Sequence, residues 1–319
     1  MDNNVIFPNL FIVGAMKAGT TAFYEILDHH NQICMSTIKE PNYYCPDLWG
    51  VSAHISYVVN NFSKSNVKSK HNAIIKSDKA YFDLFSKCKD SCLYYGDASP
   101  SYLRSEESAE KIFSDSPGSK IIIILRDPIE RAWSHYLMEK CESRVPNSFD
   151  DLINDEIKFF NKKLITQHGI VDSGLYFRNI SRYLERFPKK NIMIIDSAEV
   201  FKNLDSLFNK LSFFLGVDKE GFNKKQYSSV NTTVSPRFNF FNKILIKCNL
   251  KSFLRLILRQ SVIDKFKYIY YKKPPKYTEM SLETFLKLQS FYSDDIKHLS
   301  NLLGEGSFTW VDRYIDFKK

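Results

Sequence analysis

Short apolar runs alternate along the chain with longer amphipathic stretches. The runs Leu10–Val13, Cys92–Tyr95, Ile121–Leu125 and Ile192–Ile195 are bounded by turn residues, which is typical of buried parallel strands. Helical periodicity is present in residues Thr21–His29, Glu106–Ser114, Ile129–Cys141, Phe149–Phe160, Phe177–Phe187 and Val200–Leu215. This alternation predicts the α/β class, with a doubly wound central parallel sheet that is flanked by helices.

The pattern changes after about residue 216, and it suggests one domain with an appendage. Residues 1–237 are predicted to form the α/β domain, with a polar insertion at about residues 46–90. Residues 238–319 are predicted to be a helical C-terminal region of the same domain. Its last helix should run from Ser281 to Leu303, with Ser281 and Thr284 as caps and a stop at glycine.

The first apolar run leads into a glycine-bounded turn with the sequence FIVGAMKAGTT. Gly14 and Gly19 permit a tight backbone, and a helix is predicted to begin near Thr20. The N–H groups at a helix N-terminus, together with the hydroxyls of Thr20 and Thr21, suit a phosphate group. The spacing is similar to the pattern G-x-x-x-x-G-K-[ST], but the lysine lies inside the turn as Lys17. This position favours a single phosphosulfate group over a triphosphate, which needs its lysine at the β- and γ-phosphates.

The third apolar run ends in a cationic side chain. In KIIIILRDPIERAWSHY, Arg126 follows the strand directly and Pro128 occupies the first turn of the next helix. A guanidinium group and the hydroxyl of Ser134 at one rim would suit a second phosphate, because arginine binds phosphate in a bidentate manner. Asp127 is predicted to cap the helix, and Arg131 is predicted to be a solvated helix residue.

Taken together, the motifs resemble those of sulfotransferases that use 3′-phosphoadenosine 5′-phosphosulfate (PAPS). FIVGAMKAGTT resembles their 5′-phosphosulfate loop, and ILRDPIERAWSHY resembles their 3′-phosphate motif R-x-P-x-x-R-x-x-S. Residues 39–44 (KEPNYY) and 96–103 (GDASPSYL) resemble segments of the heparan-sulfate-type and bacterial carbohydrate sulfotransferases. The resemblance covers most of residues 9–216 and implies a P-loop-type sheet.

The resemblance also implies roles for individual residues. The residues that would hold the 5′-phosphosulfate are Lys17, Ala18, Gly19, Thr20 and Thr21, and those that would hold the 3′-phosphate are Arg126 and Ser134. Glu40 matches the glutamate that is regarded as the general base, and Lys39, Ser99 and Tyr102 are candidate substrate-binding residues. Arg237 is the candidate substitute for the K-G-R-type loop that closes on the nucleotide in the relatives.

These roles define an expected reaction. A sulfuryl group would move in line from PAPS to an acceptor hydroxyl or amine and leave adenosine 3′,5′-bisphosphate. Glu40 would take the acceptor proton, and Lys17 would stabilise the leaving phosphate. No metal is expected, because the transferred group carries less charge than a γ-phosphoryl group. His135 is the alternative base, since a histidine serves as base in the steroid and phenol branch of the superfamily.

The composition bears on the cellular compartment in which this reaction is expected. The six cysteines are scattered, and they are expected to be free, reduced thiols in a cytoplasmic protein. The sequence shows no secretory signal and no apolar run of the roughly 18–20 residues that a membrane span requires. We therefore expect a cytoplasmic enzyme, with possible peripheral contact at the inner membrane face.

The formal charge of +9 is concentrated in one segment. Residues 237–276 contain eleven Lys and Arg residues and one acid, Asp264, which gives this segment +10. Lys243, Lys247 and Lys251 begin a four-residue repeat of cations along a predicted helix. Three interpretations remain open: a solvated helix face, a helix on anionic lipid, or a channel for an anionic polysaccharide.

The expected acceptor is a carbohydrate or glycolipid, and the alternative is a small alcohol, phenol or lipid. Nucleic acid is not an expected partner. A P-loop nucleotide or sugar kinase would require lysine after Gly19, where the chain has Thr20. A non-enzymatic protein that binds anionic surfaces would leave both phosphate motifs unexplained.

Overall fold

In a computed structural model, the chain forms an α/β fold around one parallel sheet. The structure describes residues 7–50, 72–141, 144–145, 148–164, 166–222, 280–304 and 308–315, together with the short strands at 58–59, 235–236 and 271–272. The strands are β1 (Leu10–Gly14), β2 (Ile33–Met35), β3 (Val58–Val59), β4 (Ile74–Ile75), β5 (Tyr94–Ala98), β6 (Lys120–Leu125), β7 (Ile192–Asp196), β8 (Ser235–Pro236) and β9 (Tyr271–Lys272).

Helices cover the sheet and continue beyond it. They are α1 (Thr20–Asp28), α2 (Asp78–Phe82), α3 (Ser101–Arg104), α4 (Ser108–Asp115), α5 (Pro128–Cys141), α6 (Phe149–Asn161), α7 (Tyr176–Leu184), α8 (Ser197–Lys202), α9 (Leu204–Leu215), α10 (Leu282–Leu303) and α11 (Asp312–Ile315). Short 3₁₀ turns occupy Pro46–Leu48, Asp83–Phe85, Asp172–Gly174, Lys189–Asn191 and Lys219–Gly221.

The main sheet has the order β2-β5-β1-β6-β7, and all of its neighbouring strands are parallel. The two central strands, β1 and β6, are completely buried except at Lys120, which explains their uninterrupted apolar sequences. Since all the carboxyl ends lie at one edge, the turns that follow β1, β5 and β6 are neighbours there. The predicted fold class is confirmed.

Several element predictions need correction. Strand β5 is displaced towards Ala98 from the predicted run Cys92–Tyr95, and β2 was not predicted. The predicted helix Val200–Leu215 is two helices, because the side chain of Asn203 accepts a hydrogen bond from Ser206 N and starts α9.

Other boundaries agree with the prediction. At α10, the Ser281 side chain accepts from Thr284 N, so Ser281 is the cap and Thr284 belongs to the first turn. Gly304 follows Leu303, as predicted.

Within the region called a polar insertion, Ile74, Tyr81 and Phe85 are buried in the main core.

Candidate active site

The two predicted phosphate motifs meet at the carboxyl edge of the sheet. Gly14 at the end of β1 lies opposite Ile123 of β6, and Ala15 N donates to Ile124 O at 2.7 Å. The space between the turn after β1 and the helix α5 is called the crevice below. Here Lys17 Nζ lies 3.7 Å from Met138 Sδ, one turn beyond Ser134 on α5. The turn after β1 and the helix after β6 therefore face one another.

The turn after β1 presents the start of α1 to this crevice. Lys17 and Gly19 have φ values of 67° and 99°, so the chain passes twice through the left-handed region. Among the described residues, no side chain caps α1, and its first turn contains no acid. Thr20 is buried and Thr21 is half-buried beside these N–H groups. Such an end of a helix suits an anionic ligand.

Lys17 lies among charges from three parts of the chain. Burial lowers the pKa of Lys17 below its ordinary value of 10.5, while the carboxylate of Glu40 acts in the opposite direction. The cationic groups of Arg126 and Lys39 lower the pKa further. The turn after β1, the segment after β2 and the end of β6 therefore contribute charged groups to one place.

Arg126 lies at the rim of the crevice. Its side chain is 35% exposed, and its Nη2 lies 3.1 Å from Glu130 Oε2. Ser134 is buried one turn further along α5. Guanidinium and hydroxyl groups are the donors that a phosphate needs, so both residues fit the role that the resemblance implies.

Asp127 caps α5, as predicted. Its Oδ1 accepts hydrogen bonds from Ile129 N at 2.9 Å and Glu130 N at 3.1 Å. The same carboxylate also contacts the guanidinium of Arg313 and accepts from Tyr314 Oη at 3.0 Å. The C-terminal helix α11 is thereby tied to the helix that carries Ser134.

Glu40 lies five residues after the end of β2, and its charge acts on Lys17. Its side chain is 14% exposed, and its Oε1 is paired with Nζ of the buried Lys39. The main chain is held as well, since Glu40 O accepts from Ala73 N at 2.9 Å and from Asn42 Nδ2 at 2.9 Å. A carboxylate held in this way can accept a proton at a fixed position.

The side chains of Ser99 and Tyr102 hold the main chain just after Glu40. Both side chains are fully buried, and their hydroxyls donate to Asp97 at 2.9 and 2.7 Å. Tyr102 Oη also accepts from Tyr43 N at 3.1 Å, and Ser99 Oγ accepts from Asn42 N at 3.2 Å. The structure thus gives them supporting positions, and their direct contact with an acceptor stays a prediction.

Asp97 is a residue that the sequence analysis did not single out. It is the fully buried residue before the last of β5, and it accepts hydrogen bonds from Tyr81, Tyr102 and Ser99. Burial raises the pKa of Asp97 to about 6, although the three hydroxyls oppose the rise. Its signal in the sequence was an acid at the end of a buried strand, inside the segment GDASPSYL.

Arg131 was predicted to be solvated, and this is wrong. Its side chain is completely buried, Nη2 donates to Ile170 O, and Nη1 lies 3.4 Å from His135 Nδ1. His135, the alternative base, is also buried, and its Nε2 lies 3.9 Å from Glu139 Oε1. The four-residue spacing of Arg131, His135 and Glu139 was the available signal, because it places all three on one face of a helix.

The cysteine prediction is also wrong in one respect. Cys34 of β2 forms a disulfide with Cys88, whereas Cys45, Cys92 and Cys141 are not disulfide-bonded. Spacing alone gave no indication of this pair, since the two residues are 54 positions apart.

The remaining predicted features fall outside the described residues. Arg237 does so, and so does most of the basic segment 237–276, of which only the backbone of β9 is described. In the part of the chain that the structure describes, the helices are all too short or too polar to cross a bilayer.

Comparison with known proteins gives consistent results. A family model described as "Sulfotransferase domain" matches residues 7–255. Human bifunctional heparan sulfate N-deacetylase/N-sulfotransferase 3 is 26% identical over 302 residues, which are 93% of this chain and 30% of that protein. Human carbohydrate sulfotransferase 15 is 22% identical over 249 residues, which are 66% of this chain and 44% of that protein. The chain therefore spans less than half the length of these two relatives.

A solved structure has the same fold. The sulfotransferase from Alicyclobacillus acidocaldarius superposes with a TM-score of 0.64 at 21% identity and covers 94% of this chain and 96% of its own. Because the family model covers well over half of the sequence, including both phosphate motifs, this chain belongs to the sulfotransferase domain family.

Proposed function

We propose that the chain transfers a sulfuryl group from PAPS to a hydroxyl or amine of a carbohydrate acceptor. One observation carries the proposal: the charges of Arg126 and Glu40, which come from two other segments, both act on Lys17, and Lys17 Nζ contacts Met138 of α5. This convergence supports a single crevice that holds a doubly phosphorylated nucleotide beside a base.

The residues at this edge fit the nucleotide at both ends. The uncapped start of α1, with Thr20, Thr21 and Lys17, would hold the 5′-phosphosulfate. Arg126 and Ser134 would hold the 3′-phosphate. When bound, PAPS supplies an activated sulfuryl group and a phosphate that can leave. Lys17 is largely removed from water, and a cation in such surroundings interacts strongly with a nearby anion.

Glu40 is the proposed general base. Its carboxylate would take the proton from the acceptor, a step that typically accelerates a reaction by about 10²–10⁴-fold. The ion pair with Lys39 orients the carboxylate of Glu40. His135 is less suited to this role, since it is buried between Arg131 and Glu139.

The acceptor class is inferred from the relatives. The names of the two human relatives refer to heparan sulfate and to carbohydrate, so we propose a saccharide acceptor, free or lipid-linked. Small alcohols, phenols and lipids remain the alternative acceptors. Contact of segment 237–276 with anionic lipid, closure by Arg237, a cytoplasmic location and independence of metal all stay predictions.

The proposal is tested by nucleotide binding and by one substitution. Adenosine 3′,5′-bisphosphate should raise the melting temperature of the protein, and ATP should raise it much less, because ligand binding to the native state stabilises it. Glu40→Gln should keep this binding and lower kcat for sulfation of a glycan library by roughly 10²–10⁴-fold. Unchanged kcat in Glu40→Gln would remove Glu40 from its role, and equal stabilisation by ATP would contradict the nucleotide assignment.

A further inference from the structure

The segment that carries Glu40 is held from one side by residues 72–88. Ala73 N donates to Glu40 O at 2.9 Å, and Thr37 N donates to Leu84 O at 3.1 Å. The hydroxyl of Thr37 donates to the same carbonyl at 2.7 Å. The main chain on both sides of Glu40 is therefore bonded to one neighbouring segment.

Side chains strengthen this contact. Asn42 Nδ2 donates to Asn72 Oδ1 at 2.8 Å and to Ala73 O at 2.9 Å, while Ile75 N donates to Pro41 O at 3.1 Å. Any movement of residues 72–88 away from the sheet would break these bonds and release the main chain of the base.

The Cys34–Cys88 disulfide joins the ends of these two segments. Cys34 lies in β2, at the edge of the main sheet, and Cys88 follows the 3₁₀ turn Asp83–Phe85. Both residues are half-buried, so a thiol reagent can approach them. The covalent bond fixes the end of residues 72–88 to the strand that leads to Glu40.

The covalent loop divides the candidate site into two halves. Lys39 and Glu40 lie between Cys34 and Cys88 in the sequence. The nucleotide-binding residues Lys17, Arg126 and Ser134 lie outside that loop. A change at the disulfide can thus affect the base without affecting the nucleotide.

We propose that Cys34 and Cys88 form a thiol–disulfide switch that positions Glu40, an inference that rests on the proposed function. In the oxidised form residues 72–88 hold the base in place, and in the reduced form the base loses this support while the nucleotide site persists. Cys34 and Cys88 are positioning residues, because they act on the acceptor only through Glu40.

The switching reaction is thiol–disulfide exchange with a dithiol or disulfide partner. One thiolate attacks a partner disulfide and releases a partner thiol, and a mixed disulfide forms. The second thiolate then displaces the other partner thiol, which forms the Cys34–Cys88 bond. Two cysteine thiols are oxidised, one partner disulfide is reduced to two thiols, and the reverse reaction opens the switch.

The test uses the full chain, equilibrated in mixtures of reduced and oxidised dithiothreitol. Alkylation and peptide mass spectrometry measure the fraction of Cys34–Cys88 cross-link and its midpoint potential. We expect kcat to fall by roughly ten- to a hundredfold as the Cys34–Cys88 cross-link is reduced, with the same midpoint potential as the cross-link. Small displacements of a catalytic group have effects of this size. The dissociation constant of adenosine 3′,5′-bisphosphate should change less than about twofold, because its site lies outside the loop.

Two variants complete the test. Cys34→Ser/Cys88→Ser should show the reduced kcat under all conditions, and the matched control Cys92→Ser, a free cysteine four residues after Cys88, should respond like the wild type. The proposal is overturned if no cross-link forms under oxidising conditions or if kcat does not follow it. Parallel loss of kcat and nucleotide affinity would also overturn it, because that result indicates general unfolding.

Amide hydrogen exchange separates this inference from the proposed function. If no acceptor is sulfated under any condition, the proposed function fails, and the exchange rates still test the switch. Faster exchange on reduction at Thr37 N and Ala73 N, with unchanged exchange at Ala15 N and Ala18 N, would support it. Equal change at all four amides, or no change, would overturn it.

Discussion

Arg126 shares its charge with a carboxylate in the first turn of α5. Arg126 and Glu130 are four residues apart at the rim of the crevice, and both side chains are about one-third exposed. Pairs of this kind contribute little to stability, so a phosphate group can compete for the guanidinium. The strength of the 3′-phosphate contact therefore depends on Glu130 as well as on Arg126.

We expect Glu130→Gln to tighten the binding of adenosine 3′,5′-bisphosphate by about two- to fivefold, because it removes the competing carboxylate and one negative charge near the ligand. Isothermal titration calorimetry at low salt measures this effect. Glu107→Gln, at the N-cap of α4, is the matched control, since Glu107 is paired at the same spacing with Lys111. Weaker or unchanged binding in Glu130→Gln would show that the ion pair does not compete with the ligand.

At the scale of elements, α5 has two different buried faces. Met138, one turn after Ser134, contacts Lys17, whereas Arg131, His135 and Glu139 face a cluster of buried charges. The cluster continues on α6 and on the loop that precedes α7. The packing of α5 therefore depends on the protonation of groups that lie behind the site.

Glu156 of α6 is an acid of this cluster whose pKa is strongly raised. Its Oε2 accepts from Val171 N at 2.7 Å. Burial raises its pKa from 4.5 to about 7, and Asp172 contributes to the rise. Arg104 and His168 act in the opposite direction. Because the pKa is higher in the folded state, this group stabilises the fold fully below about pH 4.5, and that stabilisation is lost as the pH rises through about 7.

We expect the free energy of unfolding to fall between about pH 5 and pH 8, because Glu156 ionises in the folded protein as the pH passes its raised pKa. Glu156→Gln should remove most of this fall, because glutamine does not titrate. Urea denaturation across this pH range measures both proteins, and Glu283→Gln, at an exposed position on α10, is the control. Parallel pH profiles for wild type and Glu156→Gln would contradict the assignment.

The elements also show what a sequence alone can reveal. Strands β1 and β6 were predictable, because a strand buried on both faces must be apolar throughout. Strand β2 was not predictable, since it has three residues and its middle residue is the half-buried Cys34. Buried residues in 72–88 are separated by charged ones, so that segment resembles a polar loop although it packs on the sheet.

A sequence alone also reveals only some of the residues of the candidate site. Lys17 and Arg126 could be proposed because each lies in a motif with a distinctive local spacing, and Glu40 could be proposed because its segment resembles one of the sulfotransferase family. Asp97 and the Arg131 face left local signals, but those signals did not give their roles, because the roles depend on partners that are distant in sequence, such as Tyr81 and Ile170. Local pattern predicts elements and motifs, and tertiary contacts decide which polar residues are buried.

At the scale of the whole molecule, the C-terminal helices close on the sheet domain. Asp295 of α10 accepts from Phe177 N and Arg178 N and thereby caps α7, at 2.9 and 3.0 Å. Tyr292 Oη donates to Val171 O at 2.9 Å. The predicted appendage is therefore an integral part of the fold in its described residues, 280–304 and 308–315.

We expect Tyr314→Phe to lower the stability by about 1–3 kcal/mol, because it removes a hydrogen bond to the buried Asp127. The affinity for adenosine 3′,5′-bisphosphate should fall as well, since Asp127 caps the helix that begins beside Arg126. Thermal denaturation with and without the nucleotide measures both effects. Tyr95→Phe, at a half-buried position on β5, is the control, and an unchanged melting temperature in Tyr314→Phe would contradict the expectation.

The contact between Asp127 and α11 has a practical consequence for dividing this protein into fragments. The interval that the family model recognises stops at residue 255, some distance before Arg313 and Tyr314. A gene trimmed to that interval would encode every recognisable motif and still omit two partners of the carboxylate that starts α5. Expression boundaries for this protein should therefore follow its hydrogen bonds and extend at least through Ile315.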